Sequence, residues 1–111
     1  MATQIKKISE LPMEDVAGHQ GFEARSLMDL SEKGVTVRLL SIQPGGIGPV
    51  PAHRHPDSHF FLVLEGTLEL EIDGHVHKIP KGSCIEVPPG KCHQLRGTGE
   101  SGISVLAGKW R

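Results

Sequence analysis

Turn chemistry recurs along this chain at intervals too short for anything but brief strands. Pro44-Gly45-Gly46, Gly66, Asp73-Gly74, Pro80-Lys81-Gly82 and Pro88-Pro89-Gly90 each close a short apolar run. Glycine permits positive φ and proline lacks a backbone donor, so both interrupt regular structure. Together 14 glycines and 8 prolines make up about a fifth of the 111 residues, against roughly an eighth in average proteins. They fall between the apolar runs instead of forming one tract, which is the punctuation of an all-β domain.

The runs themselves read as strands. Val35, Val37 and Leu39 alternate with Thr36 and Arg38, the period of a half-buried strand, which Pro44-Gly45-Gly46 is expected to end. A Gly/Pro loop over 45–51 leads to His53-Arg54-His55-Pro56 and the apolar strand His59 to Glu65. Thr67 to Ile72 alternates again, and Asp73-Gly74 is a strong hairpin signal that returns the chain along His75 to Ile79. Ser83 to Val87, His93 to Arg96 and Ile103 to Ala107 complete about eight strands. Regularly spaced short strands without a helix of useful length imply a sandwich or barrel. The first 25 residues carry less signal: Ile5, Ile8 and Leu11 suggest an edge strand followed by a loop, and Pro12 to Val16 a short helical turn. The expected organisation is one domain over 1–111, with an amino-terminal arm or edge strand over 1–30 and a barrel over 35–107.

Charge and cysteine content narrow the function classes. The formal net charge is −1 and the longest basic run is Lys6-Lys7, so no footprint for nucleic acid or an acidic membrane exists. The longest apolar run, Phe60 to Leu64, is strand-sized, and Met1 to Glu10 has no apolar stretch of signal-peptide length, so a cytoplasmic protein is expected. Cys84 and Cys92 match no C-x-x-C pattern and are expected to be reduced thiols.

Histidine is the residue most unevenly placed. His53 and His55 are two positions apart, so in extended chain they project from the same face. Their ring nitrogens can then meet one ion at ~2.0–2.1 Å if it is zinc. His59 shares their parity, although the bend at Pro56 weakens that argument. A ligand from a distant strand would close the shell, and spacing alone does not name it. His75 and His77 form a second H-x-H directly after the Asp73-Gly74 turn, without a third ligand at suitable spacing, and read as solvated.

Two motifs narrow this further. The run Gly48-Pro49-Val50-Pro51-Ala52-His53-Arg54-His55-Pro56-Asp57-Ser58-His59, followed after six intervening residues by Gly66, resembles the first cupin motif: glycine, H-x-H, an acid, glycine. Gly82, then Pro88-Pro89-Gly90, then His93 resembles the second. The resemblance covers 35–107 and implies a cupin-type double-stranded β-helix, or jelly-roll barrel. It departs from the pattern where His59 replaces the acid and Gly97 the terminal asparagine, the latter expected in a turn. The chain is thus similar to small bacterial cupins with a four-histidine metal centre, which implies His53, His55, His59 and His93 as ligands of one divalent transition metal ion (Mn, Fe, Zn, Ni or Cu).

Four neutral imidazoles would leave the ion's charge uncompensated, favouring Lewis acidity and an anionic chelating guest. The substrate expected is therefore a small oxygen-rich anion, handled by a metal-dependent dioxygenase or by an isomerase/lyase. The alternative is a non-catalytic small-molecule-binding or sensing module. Phe61 and Leu95 share parity with His59 and His93 and are candidates to line the pocket. Arg38 could meet a substrate carboxylate there, although a solvent-facing strand arginine is the more ordinary reading. No free carboxylate is placed in the site, and Glu65, Glu69, Glu71 and Glu86 alternate with apolar residues as solvent-facing side chains do. Edge strands of an open sandwich need covering, and a homodimer formed through the amino-terminal strand is expected.

Overall fold

A computed structural model describes residues 3–111. Among these, the chain forms nine strands, β1 (Glu14–Asp15), β2 (Gln20–Leu30), β3 (Val35–Arg54), β4 (Ser58–Glu65), β5 (Thr67–Ile72), β6 (His75–Pro80), β7 (Cys84–Val87), β8 (Cys92–Gly97) and β9 (Ile103–Trp110), and two short 3-10 turns, one before β1 and one between β2 and β3. The 3-10 turns are Ile8–Glu10 and Ser31–Lys33. The strands wrap into a nearly closed jelly-roll barrel in the order β6-β5-β8-β3-β9-β4-β7, with β2 also paired to β3.

Strand β3 belongs to both halves of the barrel. Its first half, Thr36 to Ile42, pairs with β9 and β2, while Ile47 to Arg54 pairs with β8. One sheet is therefore β2-β3-β9-β4-β7 and the other β3-β8-β5-β6. This corrects the expectation that Pro44-Gly45-Gly46 ends the strand. The chain bends there and stays extended, because a Gly46 Cβ would lie 2.9 Å from the Gln43 carbonyl oxygen and glycine alone fits the corner.

Gly97 is also corrected. It ends β8 instead of occupying a turn, and a Cβ on it would sit 2.7 Å from the same Gln43 oxygen. The amino-terminal region differs more. Residues 14–15 form β1 paired to β2, so the helical turn expected over Pro12 to Val16 is absent. The 11-residue β2 interrupts its own alternation with register shifts after Gln20 and Ser26, and these irregularities hide its period in the sequence.

The core lies between the sheets. Ile42, Val63, Leu68, Leu70 and Val105 are completely buried, with Phe22, Leu40, Phe61, Leu95 and Ile103 packed around them. Each comes from the inward parity of its strand, as alternation requires. Asp73 and Gly74 both adopt positive φ, the backbone of a two-residue hairpin turn. That turn is tied to β8: the Asp73 N–H donates to the Cys92 carbonyl at 2.8 Å, and the Cys92 N–H donates to Asp73 Oδ1 at 2.9 Å.

Candidate metal centre

Register sets the lining of the cavity at one end of the barrel. On one sheet, Thr36 of β3 faces Lys109 of β9, which faces His59 of β4. In the next row, Arg38 faces Ala107, which faces Phe61. On the other sheet, His53 of β3 faces His93 of β8. His55 lies just past the end of β3, where its carbonyl accepts the Gly90 N–H at 2.7 Å. The ligand-bearing segments thus converge from both sheets, and the Cys92–Asp73 contacts hold the residue beside His93.

His55, His59 and His93 form the tightest group, each with a ring nitrogen within 4.8 Å of the others. Ring centroids are 4.6 Å apart for His59 and His93, 5.2 Å for His55 and His59, and 5.4 Å for His55 and His93. His53 stands at the exposed rim, its centroid 5.4 Å from that of His55. It lines the same cavity as the other three. His93 Nδ1 lies 3.5 Å from the Lys91 carbonyl, a long contact.

The donor set fits a transition metal. His59 Nε2 is buried without a hydrogen-bond partner, an unfavourable state for a polar atom unless something else meets it. Burial, followed by the neighbouring His93 and His55, pushes the His59 pKa down to about 4. Burial also lowers His93 and His55. The lowered pKa at these three positions favours the neutral imidazole, the form that binds metal.

The cavity beside the group measures about 310 Å3. Arg38, Phe61 and Leu95 line it, together with Thr36, Ala107 and Lys109. Phe61 is stacked parallel to His59 at 5.9 Å. Glu65, Glu69, Glu71 and Glu86 are absent from the lining. Glu69 and Glu71 pair with Arg96, and Glu65 pairs with Lys81. Cys84 and Cys92 are free thiols outside the histidine group.

Lys109 and His19 are cationic or titratable lining residues that the sequence reading does not single out. Lys109 continues the inward parity of Ala107 two positions beyond the expected end of its strand, so extending the alternation would have found it. His19 comes from the loop before β2, where no period exists to follow. Its Nδ1–H donates to the Ala17 carbonyl at 2.8 Å, and its ring lies where a Gly48 Cβ would otherwise stand, 2.2 Å from Cδ2.

Comparison with known proteins identifies the family and the fold. The family model described as Cupin domain matches residues 38–107. Quercetin 2,3-dioxygenase of Bacillus subtilis (strain 168) is 40% identical over 74 residues, 65% of this chain but only 20% of that protein's length. The polyketide cyclase RemF from Streptomyces resistomycificus superposes with a TM-score of 0.86 at 21% identity, over 98% of this chain and 80% of that one. A predicted oxalate decarboxylase from Thermotoga maritima gives 0.84 at 21% identity, over 96% and 98% of the two chains. At such identities these structures show a shared fold.

Proposed function

This chain belongs to the cupin domain family, and from that premise we propose that it is a metal-dependent enzyme, of dioxygenase type, acting on a small oxygen-rich anion. One observation carries the reading: a histidine group with an orphaned buried nitrogen opens onto a cavity that no carboxylate lines. His53, His55, His59 and His93 would hold the ion. Bound there, a divalent ion would supply Lewis acidity and, for iron, manganese or copper, electron transfer.

The chain's own residues support the anionic, redox reading. Phe61, Leu95 and Ala107 keep the inner wall apolar and exclude water from the substrate. An isomerase moving protons between carbons would need a base; no carboxylate lines the cavity, which leaves His19 and Lys109 as the groups outside the ligand set that could serve. The match to a quercetin dioxygenase over 65% of the chain points the same way.

The test is metal analysis of protein expressed with Mn, Fe, Zn, Ni and Cu supplied in turn, beside His59→Ala. We expect about one equivalent of metal in the parent and affinity lowered roughly 100-fold or more in the variant, the scale of losing one ligand outright as against the 10–100-fold of an outer-shell change. The loaded protein is then screened for dioxygen uptake with enolisable acids. Failure to retain metal under every supply would overturn the reading.

A further inference from the structure

We propose that Arg38, assisted by Lys109, forms an anion subsite beside the histidines, so that the ligand is a small acid with two anionic ends: one chelated at the histidine centre, the other a carboxylate held by Arg38. The inference rests on the metal-centre reading above and names the ligand class for that site.

Arg38 projects inward from β3 with Thr36 and Leu40, and all three line the cavity. Among the described residues it has no carboxylate or carbonyl partner. Its guanidinium is half-buried, and burial lowers its pKa. A charge taken part-way out of water without a counter-ion is unfavourable. A carboxylate in the cavity would relieve it through two parallel charge-assisted hydrogen bonds.

The remaining charges on the wall point the same way. Lys109 Nζ lies 4.0 Å from Asp57 Oδ2, but Arg111 Nε already donates to Asp57 Oδ1 at 3.0 Å. The single carboxylate is therefore shared by two cations, and Lys109 keeps positive charge facing inward. His19 covers the cavity from above, and its tautomer is set by the Ala17 carbonyl. A chain with net charge −1 thus has a cavity whose charged and titratable lining groups, among the described residues, are all cations or imidazoles.

Space for the second carboxylate exists between Arg38 and Phe61. Their common neighbour in the row is Ala107, whose methyl group leaves the gap open. At about 310 Å3 the cavity is at the small end for ligand sites, which suits a short-chain diacid.

The experiment titrates malate and 2-hydroxybutyrate into zinc- or manganese-loaded protein by calorimetry. Both carry the same chelating hydroxy-acid end, and only malate has the second carboxylate. Malate should bind about tenfold tighter or better, the scale of a charge-assisted pair. In Arg38→Gln the gap should shrink below about threefold, and Arg38→Lys should keep part of it, because the charge remains and the fork is lost. If Arg38→Gln fails to fold, judged by its thermal transition, Arg38→Lys and Lys109→Gln carry the test.

Equal affinity for the two acids in the parent, or a gap that survives in Arg38→Gln, would overturn the subsite. A loss in Arg38→Gln equal for both acids would also overturn it, since Arg38 would then serve the chelating end. Absence of metal uptake would instead overturn the metal-centre reading. The same titrations on metal-free protein then decide the subsite alone, an Arg38-dependent preference for malate upholding it and no preference sinking it.

Discussion

His59 shows how one side chain ties the site to stability. Its pKa is pushed down to about 4 by burial and by the adjacent His93 and His55, whereas in the unfolded chain it returns to about 6.5. Between these values the unfolded state binds more protons than the folded one, so stability rises with pH across that window. The metal-free protein is therefore expected to have its full share of this stability above pH 6.5 and to lose it as pH falls towards 4. His59→Phe, which removes the titrating group and keeps an aromatic ring beside Phe61, should flatten that slope in thermal melts recorded from pH 4 to 7. A slope unchanged in the variant would show that other groups cause it. Residue-scale legibility follows the same physics. Arg38, Phe61 and Leu95 could be singled out because strands impose period 2, whereas His19 sits in a loop and is placed only by tertiary contact with Gly48 and Ala17.

At the scale of elements, the corner of β3 decides the most. Gly46 and Gly97 pack against one carbonyl, that of Gln43, and neither has room for a methyl group. Gly97→Ala should therefore cost about 1–3 kcal/mol, as overpacking does, seen as a lower denaturant midpoint with an unchanged slope. Neutral behaviour would mean that the corner relaxes freely. The same corner explains what sequence reading missed. Pro44-Gly45-Gly46 has the composition of a turn, and composition does not separate a chain reversal from a bend that carries a strand into a second sheet. Strands β4 to β8 were legible because each is short, either alternates or forms one apolar run, and ends beside a glycine or proline. Strand β2 was not, since register shifts after Gln20 and Ser26 move its inward residues out of step.

For the whole molecule, the sequence motifs were informative because they bracket the barrel: one falls on the second half of β3 and on β4, the other on β7 and β8. The order of strands follows from the family's topology and not from local patterning, which contains no information on which strand lies beside which. The amino-terminal 30 residues lie outside both motifs, yet they supply β2 and the loop bearing His19 that covers the cavity. The metal ligands also have a mechanical meaning. His59 belongs to one sheet and His93 to the other, so an ion gripping both would rivet the two walls of the barrel together at its open end. Folding and metal supply then become one equilibrium: at a free metal concentration about 1,000 times the dissociation constant, the added stability is roughly 4 kcal/mol. For a domain of this size that corresponds to a rise in Tm of some 15–30 °C at about 4–8 °C per kcal/mol, reversed by a chelator. No shift with a metal that does bind would mean that the unfolded chain binds it equally well. Starved of metal, such a barrel would be a looser object with its mouth unfastened, and its lifetime would track the abundance of the ion.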